Sequence, residues 1–252
     1  MSVSERSDYL YLKNHTGDNC LPSDESVEDL RVSNLVLMAG QFVGAGKSTL
    51  INRLVGEGFS NVPSWTNRGL RTGEFDGVDK CSRSLGVMAT KASEGFFLEL
   101  EEVRQGVFYA TPSEFHTGGN YVKDLELRGA LKLRELAPEL PIIIPLPTLR
   151  EADSVGVTEW ERRVVNREGF TRAINEASFS DLEKRLNGVV DETRRLVESG
   201  LLYDSNTLVL VNDDLNIATA AVFKFLETRE KSSQTKIVDH LFGLSDLALG
   251  AL

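Results

Sequence analysis

The chain has 252 residues, 41% of them hydrophobic, and a formal net charge of −10. That length supports a sizeable core in one large or two small domains, and the acidic balance excludes a nucleic-acid polymer as the main partner, because backbone binding requires a basic face. No apolar run approaches the roughly 20 residues of a membrane span and the amino terminus is polar, so the expectation is a cytoplasmic protein with no membrane partner. In chain order, residues 1–33 are rich in Ser, Asp, Asn and Glu and predict a weakly ordered extension, with Tyr9 and Tyr11 able to tack it to a surface. From Asn34 apolar runs alternate with amphipathic segments, the signature of an α/β fold with a mainly parallel sheet. Strands are predicted over 35–38, 141–145 and 207–211, and helices after Lys47, over 125–136 and 179–199, and from about Asn216. Two segments, 64–111 and 153–180, are rich in arginine and irregular, as parts that close over ligands are. The apolar spacing of 237–252 predicts a terminal helix packed on this chain or on a partner.

The strand at Leu35–Met38 feeds Gly40 and then Gly44-Ala45-Gly46-Lys47-Ser48-Thr49, which opens a helix. This reads as a phosphate-binding loop. Glycines let backbone N–H groups turn toward phosphate oxygens, and the helix presents its positive end to the same anion. Lys47 is placed to reach the β- and γ-phosphates of ATP or GTP, and the Ser48 hydroxyl to ligate Mg²⁺. The pattern departs at one point: the glycine expected five residues before Gly46 is Gln41. Cys20 and Cys81 lack metal-ligand spacing and read as free thiols, and the three isolated histidines carry no catalytic assignment.

The run Ser64-Trp65-Thr66-Asn67-Arg68-Gly69-Leu70-Arg71-Thr72-Gly73-Glu74, followed by Asp76-Gly77-Val78-Asp79, resembles the guanylate kinases. Two guanidinium forks suit a nucleoside 5′-phosphate independently of that likeness. The resemblance covers 34–226 and implies a P-loop three-layer α/β fold with a five-stranded parallel core sheet. It implies a kinase-like domain over 34–228, with an inserted GMP-binding subdomain at about 66–110 and a lid at about 153–180, followed by a tail over 229–252. By resemblance, Ser64, Arg68, Arg71 and Glu74 bind the acceptor, Glu99 and Thr111 read its base, and Tyr109 binds its phosphate. A carboxylate suits guanine because it can accept from N1–H and the 2-amino group together; the bland alternative places Glu99 on the polar face of an alternating strand. Asp124 serves guanine or the metal shell. Asn212 lies near the donor adenine in such proteins, although Asn212-Asp213-Asp214 equally reads as a helix-capping turn. Arg163, Arg167 and Arg185 match arginines that close on the transferred group.

The sequence also departs from the family. Lys80 stands where a phosphate-binding tyrosine is usual, and the link from Thr111 to Asp124 is short enough to hold only a turn. The resemblance implies transfer from ATP to GMP with Mg²⁺, in a monomer or homodimer. Two other readings stand beside it: a P-loop kinase of another monophosphate or a phosphorylated sugar, and a non-catalytic binding module, against which Lys47 and the lid arginines weigh.

Overall fold

A computed structural model describes residues 2–40, 42, 44–115, 119–149, 160, 163–164, 176–231 and 235–250, with 176–185, 235–236 and 249–250 described by backbone alone. Gln41, Arg167 and most of the expected lid at 153–180 lie outside the described residues. The elements begin with α1 (Val3–Asn14), α2 (Asp24–Val32), β1 (Asn34–Met38), α3 (Lys47–Gly56), β2 (Ser60–Asn61), β3 (Ser64–Thr66), β4 (Lys80–Ser82) and α4 (Leu85–Ser93). They continue with β5 (Phe97–Arg104), β6 (Val107–Pro112), β7 (Asn120–Asp124), α5 (Leu127–Leu136) and β8 (Ile142–Pro147), then α6 (Glu176–Glu198), β9 (Thr207–Asn212), α7 (Leu215–Thr228) and α8 (Thr235–Gly250).

A five-stranded parallel sheet has the order β2-β7-β1-β8-β9. Every residue of β8 is buried, and so are four of the five in β1. Strands covered on both faces read as continuous apolar runs, which is why Leu35–Met38 and Ile142–Ile144 were legible. β8 pairs with β9 in parallel register from Ile142 with Thr207 to Pro147 with Asn212.

By contact density the chain forms two compact units, one of Met1–Leu37, Leu54–Asp124 and Arg128–Leu140, the other of Met38–Arg53, Leu125–Leu127 and Pro141–Leu252. The first holds a second sheet, ordered β4-β3-β6-β5, with β3 and β4 parallel and β6 antiparallel to both its neighbours. Side chains alternate across it with period two. Trp65, Cys81, Leu100, Phe108 and Ala110 face one cluster of buried residues, and the polar residues between them face the other way. A register shift between Phe97 and Glu99 marks a bulge. It lets Phe97 join the apolar cluster while Glu99, only two residues on, faces the polar side.

The expectation of a weakly ordered amino terminus does not hold. α1 carries a capping box at Ser2 and Glu5, and α2 is capped by Ser23. Leu12 and Leu30 are fully buried. Tyr9 does tack α1 down, its hydroxyl donating to Glu102 Oε1 at 3.2 Å and its ring 5.8 Å from that of Phe108. Ser26 Oγ donates to the Gly95 carbonyl at 2.9 Å, so α2 braces the start of β5. α1 adds a layer to the apolar face of the second sheet, and Leu12→Ala is expected to cost about 2–5 kcal/mol in urea denaturation. A loose extension would change stability by less than about 0.5 kcal/mol.

In the second unit, α8 packs on α6 of the same chain, burying Ile237, Leu241, Leu244 and Ala248 at helical spacing. Among the described residues no helix is long and apolar enough to cross a membrane.

Candidate active site

Three glycines of the loop after β1 adopt positive φ: Gly40 at 103°, Gly44 at 76° and Gly46 at 78°. At Gly46 the reason is also steric, because a Cβ there would lie 2.4 Å from Asn212 Nδ2. Asn212, buried at the end of β9, donates that amide to the Ala45 carbonyl at 2.9 Å. It therefore braces the loop, which differs from the donor-adenine contact that the resemblance implies. The alternative role as a helix cap falls to Asp214, whose carboxylate accepts from the backbone N–H groups of Asn216 and Ile217.

α3 starts at Lys47, so its positive end faces the loop. Lys47 Nζ donates to the carbonyls of Gly40 at 2.6 Å and Leu125 at 3.0 Å, spanning the mouth of the loop. Ser48 and Thr49 are exposed on the first helical turn. Arg163 Nη1 donates to the Gly44 carbonyl at 3.3 Å, and the ring of buried Trp160 lies 3.3 Å from where a Gly44 Cβ would stand. The backbone of Arg185 lies in α6 and its side chain is outside the described residues, as Arg167 is entirely.

In the first unit the sheet register collects residues that are far apart in sequence. Lys80 pairs with Ser64 across β4 and β3, and Thr111 with Glu99 across β6 and β5. β3 meets β6 at Trp65 with Ala110. One step further in the same register sets Ser64 against Thr111, so Lys80, Ser64, Thr111 and Glu99 form one polar row across four strands. Ser64, Thr111 and Glu99 are buried. Thr111 Oγ1 donates to Glu99 Oε2 at 2.7 Å. Glu99 Oε1 lies 2.7 Å from where a Cβ on Gly129 would sit, so only glycine at that point of α5 allows the carboxylate so close.

Beside the row, Tyr109 accepts a hydrogen bond from Arg68 Nε, which leaves its own O–H to donate elsewhere. Arg68 grips Glu74 through two parallel bonds of 2.7 Å. That pairing drops the Glu74 carboxyl to about 2 and raises Arg68 above its usual range, so the pair's contribution is present above the ordinary carboxylate range and lost as pH falls toward 2. Arg68 is thus mostly committed inside the protein, whereas the sequence assigned its fork to phosphate. Arg71 is exposed and makes no side-chain hydrogen bond or ion pair among the described residues. Lys80 Nζ stands 5.6 Å from the Tyr109 ring centre and donates to Ser64 Oγ at 3.3 Å. Asp124 ends β7 and is half-buried.

Sequence reasoning missed Lys123 and Gly129. Lys123 is fully buried, its Nζ 2.6 Å from Ser64 Oγ and 3.1 Å from the Val62 carbonyl. The one available signal was a lysine directly after the apolar pair Tyr121-Val122. Both cysteines are free and buried, and burial pushes the Cys20 thiol up to about 12, so neither is a reactive thiolate.

Comparison with known proteins bears on the same arrangement. The guanylate kinase of Jannaschia sp. (strain CCS1) is 31% identical over 217 residues, covering 82% of this chain and 88% of the relative. The chain belongs to the guanylate kinase family. The guanylate kinase of Clostridioides difficile (strain 630) is 30% identical over 164 residues, 62% of this chain and 76% of the relative. The crystal structure of guanylate kinase from Anaplasma phagocytophilum superposes with a TM-score of 0.55 at 20% identity, covering 81% of this chain and 89% of that one, and so shares the fold. A scan against family models finds no match. As a guanylate kinase relative the chain is a nucleoside monophosphate kinase, a phosphotransferase.

Proposed function

We propose that this kinase transfers the γ-phosphoryl group of ATP to GMP, giving ADP and GDP, with Mg²⁺, in the cytoplasm. The observation that carries the choice of base is the direction of the hydrogen bonds in the polar row. Ser64 Oγ accepts from Lys123 and Lys80, so its own proton points outward as a donor. Thr111 spends its proton on Glu99, so its remaining lone pairs and the Glu99 carboxylate are acceptors. A donor followed by two acceptors complements the guanine edge, which presents the 6-oxo acceptor and then the N1–H and 2-amino donors. Adenine presents a 6-amino donor and an N1 acceptor, which oppose the first two positions.

Arg71, Lys80 and the Tyr109 hydroxyl are the donors available to the acceptor 5′-phosphate, and Arg68 and Glu74 hold Tyr109 and the Arg71 backbone in place. On the donor side the positive-φ glycines at the entry to α3, the helix's positive end, Lys47 and Arg163 fit a triphosphate. The exposed Ser48 hydroxyl on the first turn of α3 would be the protein's ligand to Mg²⁺. When bound, that ion neutralises charge on the β- and γ-oxygens.

No general base is required. The attacking oxygen belongs to a phosphate monoester whose second pKa is about 6, so it is already ionised at neutral pH. It forms the new P–O bond as the bond between the γ-phosphorus and the bridging oxygen of ADP breaks. Arg167 and Arg185 complete the proposed neutralisation of the moving group.

The test is ADP release from Mg-ATP with GMP, AMP, CMP or UMP supplied one at a time. Turnover with GMP at least 10²-fold above the others is expected, as for sites that hydrogen-bond their substrate. Turnover with a different monophosphate or a phosphorylated sugar reassigns the acceptor, and none with any leaves a nucleotide-binding module.

A further inference from the structure

Lys123 has no part in the reading above beyond its bond to Ser64, yet it is the most costly residue in the neighbourhood. Its side chain is fully buried on β7, and burial lowers its pKa to about 7, with the Lys80 charge adding to the fall and Glu99, Asp124 and Cys81 opposing it. A methionine would fill much the same volume without that penalty.

Its geometry accounts for its presence. Even a neutral amine keeps two N–H donors, and Lys123 has two acceptors to meet, the Val62 carbonyl and Ser64 Oγ. Lys80 approaches the same hydroxyl from β4. A serine oxygen has two lone pairs and one proton. With both lone pairs engaged by N–H donors of Lys123 and Lys80, the hydroxyl cannot rotate to accept from a ligand.

We propose that Lys123, acting with Lys80, locks the Ser64 hydroxyl as a donor to the 6-oxo group of the acceptor purine, and is a specificity-determining positioning residue of this kinase. The proposal rests on the GMP reading above. It explains how an ordinary serine, which otherwise serves as donor or acceptor with equal ease, can refuse a 6-amino group. It also explains why two lysines, one from β7 and one from β4, converge on one hydroxyl: the cost of burying Lys123 is tied to fixing the direction of that hydroxyl.

The test compares GMP with its 6-thio analogue, which keeps the N1–H and 2-amino donors and weakens only the acceptor at position 6. The quantity read is the ratio of their kcat/KM values, in which effects on the shared phosphate cancel. Lys123→Met is expected to lower that ratio about tenfold, the worth of one hydrogen bond to a charged or polarised partner, through KM with kcat retained. Ser64→Ala is expected to lower it equally, and the double variant no further, because both act through one hydroxyl. A ratio within twofold of wild type in Lys123→Met, or additive losses in the double variant, overturns the proposal. Should Lys123→Met not fold, Lys80→Met carries the test: a lowered ratio supports the proposal and an unchanged one overturns it. Wild-type protein that does not phosphorylate GMP refutes the GMP reading itself, which separates that failure from this one.

Discussion

Lys47→Ala is expected to lower kcat for GMP phosphorylation on the order of 10²–10³-fold, the usual loss when one preorganised donor to developing charge is removed. The Lys47 ammonium bridges the carbonyls of Gly40 in the glycine-rich loop and Leu125 after β7, so its removal takes away a charge and also the tie between those two segments. The loop does not collapse as a result. Asn212 still holds the Ala45 carbonyl, and the backbone of Leu50 still donates to Gly46 to start α3. The expected pattern is therefore a folded protein with weakened ATP binding and a crippled kcat. GMP affinity should survive, since Ser64, Thr111 and Glu99 are set by strand register in the other sheet. Equilibrium binding of GMP alone, measured beside steady-state kinetics, checks this. A variant that keeps more than about a tenth of wild-type kcat would remove Lys47 from the catalytic machinery.

How much of this was legible in the sequence depended on the range of the forces involved. β1, β8 and β9 were visible because strands buried on both faces need unbroken apolar runs, and the phosphate loop was visible because its glycines, lysine and serine are contiguous. The amino-terminal helices were not. α1 offers few apolar residues, and the burial of Leu12 depends on a sheet formed about 50 to 100 residues later in the chain. Local composition carries no trace of that partner. The polar row is harder still, because Lys80, Ser64, Thr111 and Glu99 meet only through three strand pairings; family resemblance named them, but only the register sets them side by side. Lys123 was passed over because a lysine in a strand ordinarily marks the solvent face, and nothing local reveals that this face is closed. Arg68 and Asn212 carry partners that the sequence does not name, Glu74 and Ala45 respectively. Sequence names the groups; what each donor is left free to do follows only from its partners.

Glu99→Gln is expected to lower kcat/KM for GMP on the order of 10²–10⁴-fold, from the loss of two charge-assisted hydrogen bonds worth about 1.5–3 kcal/mol each. The substitution keeps the size and removes the charge, and the surroundings decide the rest. Thr111 Oγ1 donates to one carboxylate oxygen at 2.7 Å, while the other is pressed against the backbone at Gly129. If the new amide turns its oxygen to Thr111, its NH₂ faces the donors of the guanine edge; if it turns the other way, two donors meet at Thr111. Either orientation removes the charge and leaves the site one acceptor short, at the guanine edge or for the Thr111 proton. AMP should gain nothing, because Ser64 still presents its proton to the 6-position. IMP, which lacks the 2-amino group, should lose less than GMP, so the preference for GMP over IMP should narrow sharply. Steady-state kinetics with the three nucleotides decides the matter. A loss under tenfold, or equal losses for GMP and IMP, would mean that Glu99 supports the strand and does not read the base.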